Sequence, residues 1–399
     1  MTALPRLRLK KNEDRRLRAG HAWIFSNEVD IAATPLKAFA PGDLAVVENS
    51  RGESLGQAYV NPDSLISARL LCRDIQIPID RNFFAKRLER ARDWRERIYP
   101  WPHYRLAHGE SDGLPGVVID RFGDVFAVQT NTAGMETRQE QLLAALDAVF
   151  APRAVVLKNT SSLRSLEGLE SYTRVAMGEL AGPVEIVENG ARFLVDPAEG
   201  QKTGWFFDHR DNRARLAGLC KGKRVLDLFA YSGAWGVQAA LAGAARVECV
   251  DASEAALALA AENAKRNGVA EAMEFTREDV FEFLKRAREE RRHYDVVVLD
   301  PPAFIKRKKD THQGEEAYRR LNQAALQLLA YGGILVSASC SFHLREEVLH
   351  DLLRASARHL DRHLVFFARG GQAADHPVHP AIPETDYLKA FFCRVEQAL

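Results

Sequence analysis

Cysteine is scarce and scattered. Five occur in 399 residues, Cys72, Cys220, Cys249, Cys340 and Cys393, and none forms a Cys-x-x-Cys pair. That spacing argues against a disulfide framework and a structural zinc site, and for a reducing compartment. No metal is expected, and the cytoplasm is the expected location. Long apolar runs are missing too. None approaches the roughly 18 residues of a membrane span, so no membrane partner is expected. The start, MTALPRLRLKKNEDRRLR, is basic and has no apolar stretch, so no secretory signal is expected. Internal repeats and low-complexity tracts are absent, which excludes solenoids and fibrous arrays. Net charge is nearly absent as well, at +1, so overall charge gives no argument for a polyanionic partner.

What is present is an ordinary globular composition, 46% hydrophobic and 27% charged, in a chain long enough for two or three domains. The charge is unevenly placed. The first 20 residues carry Arg6, Arg8, Lys10, Lys11, Arg15, Arg16 and Arg18 against Glu13 and Asp14. A second basic run, Lys306-Arg307-Lys308-Lys309, lies just after the strongest motif in the chain. Such runs are usually solvated faces, but these placements suit phosphate contacts.

Three regions differ in pattern. Residues 1 to about 75 hold short β-like runs (43–48, 56–60, 65–71) between turn signals such as Pro41-Gly42 and Asn61-Pro62. They predict a small β-barrel or sandwich with one helix. From about 80 to 185 the types mix: a charged amphipathic helix over 83–98, a hairpin over 116–128, a helix over 136–150 and a strand at 155–158. This predicts a small α+β domain. Beyond about 184, an Asn189-Gly190 hairpin precedes alternating strands and helices to the end. The strands are continuous apolar runs at 225–228, 247–250, 296–299 and 334–337. A helix over 254–266, capped by Ser253 and closed by Gly268, lies among them. That rhythm predicts a parallel sheet with helices on both faces.

In such sheets ligands sit at the carboxyl ends of the strands. Acidic residues fall at or beside four successive ends: Asp227, Asp251, Asp279 and Asp300. A lone aspartate there is ordinarily a helix N-cap, but four in succession favour a shared ligand. The first turn reads Asp-Leu-Phe-Ala-Tyr-Ser-Gly-Ala-Trp-Gly, with Phe229 where a dinucleotide site needs its first glycine. No pyrophosphate cradle results, which favours a nucleoside without phosphates such as S-adenosylmethionine. Phe229, Tyr231 and Gly233 of this turn are candidate cofactor contacts. Asp251 suits the ribose hydroxyls, Asp279 the adenine amino group and Asp227 the cationic amino-acid end; Asp300 is a further candidate contact.

Two segments carry the reactive chemistry. In Asp300-Pro301-Pro302-Ala303-Phe304 the prolines stop a strand and stiffen the backbone beyond it. Pro301, Pro302 and Phe304 could hold a flat base while Asp300 bonds its polar edge, with Lys306 and Arg307 as further substrate contacts. Ser339-Cys340-Ser341 ends the next strand. Methylating C5 of a pyrimidine requires a nucleophile at C6 to make C5 electron-rich, and Cys340 facing Asp300 would supply it. The alternative for Cys340 is a small buried core residue.

Several segments together resemble a known family. The C-terminal half is similar to class I methyltransferases that modify ribosomal RNA. The whole chain resembles the large-subunit (23S) ribosomal RNA cytosine-C5 methyltransferase I family. The carriers are Gly20-His-Ala-Trp-Ile-Phe-Ser-Asn-Glu28, similar to the start of a PUA domain; His108-Gly-Glu-Ser-Asp-Gly-Leu-Pro-Gly116; Gly200-Gln-Lys-Thr-Gly-Trp-Phe-Phe-Asp-His-Arg210; and the strand-end motifs. The resemblance implies an α/β fold class. A Rossmann-like class I methyltransferase domain at 186–399 would follow a PUA-like RNA-binding domain at 1–75 and a small α+β domain at 76–185. It implies Cys340 as nucleophile, Asp300 as base-binding acid and Asp227, Asp251 and Asp279 as cofactor ligands. Gln201, Lys202 and Thr203 lie in the segment that would close over the methionine part of S-adenosylmethionine. Implied partners are large-subunit ribosomal RNA, free or in an assembly intermediate, and a second copy in a homodimer. One departure stands out: Pro302-Ala303 replaces the Pro-Cys pair of many RNA cytosine methyltransferases, so no cysteine there aids elimination. Two rivals remain. One is a purine amino-group or ring-nitrogen methyltransferase, which needs no cysteine. The other is a non-catalytic ribosome-assembly factor.

Overall fold

The structure is a computed structural model, and it describes residues 4–397. The chain forms two compact units, one of residues 1–184, 195–207 and 374–385, the other of 185–194, 208–373 and 386–399. This differs from the expected boundaries, since 195–207 and 374–385 fold with the N-terminal regions.

The first unit holds two five-stranded sheets. One orders its strands Arg6–Arg8, Leu44–Glu48, Ser54–Val60, Ala68–Cys72 and Trp23–Ile24. Its core is Leu7, Leu9, Leu17, Ile24, Val29, Ala45 and Val47 with their neighbours. The other orders Tyr172–Gly178, Ala154–Asn159, Val125–Thr130, Val117–Phe122 and His103–His108. The helix Arg81–Ile98 starts where the Asp80 carboxylate accepts the Phe83 N–H at 3.0 Å, and buries Phe83, Phe84, Leu88 and Ala91. The helix expected over 136–150 is two pieces, Ala133–Glu136 and Gln139–Phe150. Tyr59 of the first sheet shares a core with Phe83, Phe84 and Leu106 of the second region. Its hydroxyl donates to the Pro115 carbonyl at 3.1 Å. The two regions therefore share apolar packing. The two later segments join by polar bonds: the Thr203 hydroxyl donates to Asp120, and the Asp375 carboxylate accepts from the Arg105 amide at 2.9 Å.

The second unit holds a two-stranded hairpin, Val184–Glu188 with Ala191–Val195, and a seven-stranded sheet. The strands of the larger sheet are β1 (Arg224–Leu228), β2 (Arg246–Asp251), β3 (Met273–Arg277), β4 (Tyr294–Leu299), β5 (Leu329–Ser339), β6 (Arg362–Gly370) and β7 (Lys389–Gln397). Their order is β3-β2-β1-β4-β5-β7-β6. The first five are parallel, and β7 runs antiparallel between β5 and β6. Helices α1 (Ala234–Leu241), α2 (Glu254–Arg266), α3 (Val280–Glu289), α4 (Thr311–Leu328) and α5 (Glu346–His359) connect them. Strands covered on both faces explain the unbroken apolar runs, with Val296, Val297, Val298 and Leu299 all 0% exposed. The expected strand–helix alternation fails at the end, where β6 and β7 pair without a helix between them. Strand order reverses beside β1, so the ligand crevice opens at the carboxyl ends of β1, β2, β4 and β5.

Candidate active site

The turn after β1 is unusually bent. Phe229 (φ 62°), Tyr231 (φ 46°) and Gly233 (φ 78°) all lie in left-handed backbone space. For the two aromatic residues that conformation costs energy and persists only where surroundings enforce it. At Gly236, the third residue of α1, an added Cβ would lie 2.6 Å from the Cys249 sulfur. The missing side chain lets α1 press onto β2.

Asp227 sits beneath this turn, 0% exposed. One carboxylate oxygen accepts the Gly236 N–H at 3.0 Å. The other has no partner among the described residues. Burial, with Asp300 and Asp251 nearby, pushes its pKa up to about 7 from 3.8. A folded-state pKa above the unfolded value gives stability that is full below about pH 4 and lost as pH rises through about 7. The cofactor-free Asp227→Asn protein, which cannot titrate there, should therefore gain thermal stability over the parent across that window. Melting curves over the same range check this; a constant difference would refute it.

Asp251 fastens the turn. One oxygen accepts the Tyr231 amide at 2.9 Å and the other the Ser253 amide at 2.9 Å. A carboxylate has about four acceptor positions, so one on each oxygen remains for a vicinal diol. Asp279 does act as an N-cap. Its Oδ1 accepts from Phe281 (2.9 Å) and Glu282 (3.3 Å) at the start of α3. The residue is exposed, with Oδ2 outside the cap.

Asp300 closes β4. Its Oδ2 accepts the Trp235 indole N–H at 3.0 Å. Its Oδ1 lies 3.1 Å from His209 Nε2, an ion-pair distance whose angle falls short of a hydrogen bond. Burial works to raise its pKa, but the His209 ring and the Trp235 bond win and hold it below the usual carboxylate range. Asp300 therefore acts as an anionic acceptor. Beyond it Pro301 is buried and Pro302 exposed. The Phe304 ring packs on Tyr318 (4.8 Å between centroids), with Phe229 and Phe281 further out. That makes it partly a core residue.

Cys340 follows β5 and is half-buried. A hydroxyl net surrounds it: Ser339 donates to the Tyr318 hydroxyl at 2.8 Å, and Tyr318 and Ser341 share a bond at 3.0 Å. Ser341 also accepts the Ile305 N–H at 3.2 Å, which ties the loop after β5 to the loop after β4. Lys389, only 8% exposed, donates to the Ser341 carbonyl at 2.6 Å. Register explains the juxtaposition, since Leu299 pairs with Ser337 and Ser339 with Lys389.

Gln201, Lys202 and Thr203 belong to the first unit. There Lys202 lies 4.6 Å from the Phe206 ring centre. Among the N-terminal cations, Arg6 and Arg8 pair with Glu48, Arg16 with Glu28, and Arg18 with Asp14 and Glu53. Much of that charge is neutralised within the fold. Lys306 and Arg307 are exposed, and Arg307 pairs with Asp310 at 3.1 Å. Sequence reasoning missed Trp235, His209, Tyr318 and Lys389. Trp235 and His209 lay inside the quoted motifs with no role assigned to them, and Lys389 left a signal as the cation that opens an apolar strand.

The residues fit S-adenosylmethionine. The buried Asp227 oxygen without a partner could accept from a cationic amino group, and Asp251 has acceptor positions left for a ribose diol. Among the described residues no cluster of His, Cys, Asp and Glu could hold a metal ion. Residues 134–393 match the S-adenosylmethionine-dependent methyltransferase family, and residues 7–73 match a PUA-like domain. The chain is 38% identical over 395 residues to ribosomal RNA large subunit methyltransferase I of Erwinia tasmaniensis, covering 98% of this chain and 99% of that one. It is 37% identical to the protein of that name from Klebsiella pneumoniae strain 342, covering 98% of each. Among solved structures, SMU.776 complexed with SAH superposes with a TM-score of 0.84 at 21% identity, covering 98% of this chain and 100% of that one. A methyltransferase from Streptococcus mutans gives 0.82 at 21%, with the same coverage. At such identity these two structures speak for the fold.

Proposed function

Because the chain belongs to the ribosomal RNA large subunit methyltransferase I family, whose members use S-adenosylmethionine, we propose that it methylates C5 of a cytosine in 23S ribosomal RNA, with Cys340 as nucleophile. One observation carries the reading: Asp300 and Cys340 close adjacent parallel strands, β4 and β5, at the same sheet edge. The cofactor supplies an electrophilic methyl group when bound, with Asp227 at its cationic end and Asp251 at its ribose.

In this reading the Cys340 thiolate adds to C6 of the ring, and the electron pair of the C5–C6 bond becomes available at C5. Asp300, kept anionic by His209 and Trp235, accepts from the exocyclic amino group and holds the base edge. After C5 takes the methyl, a base removes the C5 proton, the C6–S bond breaks and its electron pair returns to sulfur. Mass-spectrometric mapping of ribosomal RNA made with and without the protein tests the assignment. A single 5-methylcytosine that depends on the protein is expected. A methylated purine amino group in its place would overturn it.

The basic run beside Asp300 supports an RNA substrate. Lys306, Lys308 and Lys309 are exposed, and none makes an ion pair among the described residues. Replacing all three with Ala should lower the slope of log affinity against log salt by up to about 2–3. Cofactor affinity should not change. Binding measured at several salt concentrations checks this, and an unchanged slope would make the run a solvated surface.

A further inference from the structure

Lys389 is built into the surroundings of Cys340 from both sides. In the sheet it stands opposite Ser339, the residue before the cysteine. Its ammonium donates to the carbonyl of Ser341, the residue after it, at 2.6 Å, and to the Tyr387 carbonyl at 2.8 Å. Ammonium has three N–H groups, and these two bonds use two of them. A buried lysine costs several kcal/mol of lost hydration unless something anionic repays it. Two neutral carbonyls are poor compensation, and the surrounding groups on neighbouring elements are already engaged. Glu346 of α5 is bonded to Arg369 at 3.0 Å. Tyr318 of α4 bonds Ser339 and Ser341. Asp300 of the neighbouring strand faces His209. Asp386, three residues before Lys389, is the remaining carboxylate that acts on it, along with Glu346 and Cys340.

We propose that Lys389 is the positioning residue of the nucleophile, its ammonium holding Cys340 as a thiolate before attack and again as it departs. This rests on the reading of Cys340 as nucleophile. The thiol proton goes to water, while Lys389 keeps its own. Sulfur loses its charge when it bonds C6. It regains the charge when that bond breaks, and the ammonium is present at both steps. Burial lowers the Lys389 pKa to about 8, with Cys340, Asp386 and Glu346 pulling it back up. The ammonium form therefore prevails at neutral pH, and the support fades as pH rises through that value.

The test is the pH dependence of iodoacetamide alkylation at Cys340, tracked by peptide mass spectrometry in the full chain. The parent protein should show a midpoint at least about one unit below the ~8.5 of a free thiol. Lys389→Met should move it up by about one unit or more, slowing alkylation near neutral pH about tenfold while leaving the high-pH plateau unchanged. Should Lys389→Met not fold, thiolate absorbance of the parent minus that of Cys340→Ser gives the midpoint by itself. A midpoint at or above that of a free thiol, or one unmoved by Lys389→Met, overturns the proposal. Trapping on RNA with 5-fluorocytosine separates the two readings. No trapping by the parent sinks the nucleophile itself, whereas trapping with an unmoved midpoint sinks only the role of Lys389.

Discussion

The Cys340→Ser protein is expected to bind S-adenosylmethionine and RNA normally yet transfer no methyl group, with turnover down by on the order of 10^4 or more. A hydroxyl is a far weaker nucleophile than a thiolate, and no strong base lies in the hydroxyl net to activate it. Serine nearly matches cysteine in size, so the Ser339, Tyr318 and Ser341 bonds should survive and the fold with them. The parent should form a covalent complex with RNA carrying 5-fluorocytosine at the target. Fluorine at C5 cannot leave as a proton, so the adduct cannot collapse, and the complex should persist through denaturing electrophoresis. Cys340→Ser should give none. Near-normal turnover by the variant would rule out covalent catalysis here. The Asp300 segment would then be better explained as the centre of an amino-group methyltransferase.

Asp251→Ala should weaken cofactor binding about 10- to 100-fold, the worth of one charged hydrogen bond at roughly 1.5–3 kcal/mol. The structure makes this variant lose more than a ribose contact. The same carboxylate pins the Tyr231 and Ser253 amides, and Tyr231 lies in a left-handed conformation that needs such support. Asp251→Asn keeps an acceptor for one amide but loses the charge, so it should fall between parent and Ala. Calorimetric titration with cofactor, alongside a melting curve, checks both. Unchanged affinity in a folded Asp251→Ala protein would remove this residue from the site.

Much of this was legible from local pattern. Unbroken apolar runs announced a doubly covered parallel sheet, and the Asn189-Gly190 hairpin appears with both residues at positive φ. Ser253 caps α2 as expected, its side chain accepting from Ala256. These features depend on neighbours in sequence: a buried strand needs apolar side chains throughout, and a cap needs an oxygen at one position. The acidic strand ends were legible for the same reason, since strand length places them at one sheet edge.

Contacts between distant segments were not legible. No local signal says that the final strand runs backwards between β5 and β6, because that depends on which edge is free once the parallel strands have paired. Yet this placement brings Lys389 to Cys340. His209 and Trp235 likewise meet Asp300 only through the packing of three separate elements, and they keep it anionic. The N-terminal cations looked free in sequence, but Glu28 and Glu48 form ion pairs with three of them. The sequence alone thus determined the sheet, the turn after β1 and the types of chemistry available. Which charges stand unpaired, and which buried groups adjust one another, was decided by the tertiary structure, because electrostatic energies depend on distances and burial that residue spacing does not encode.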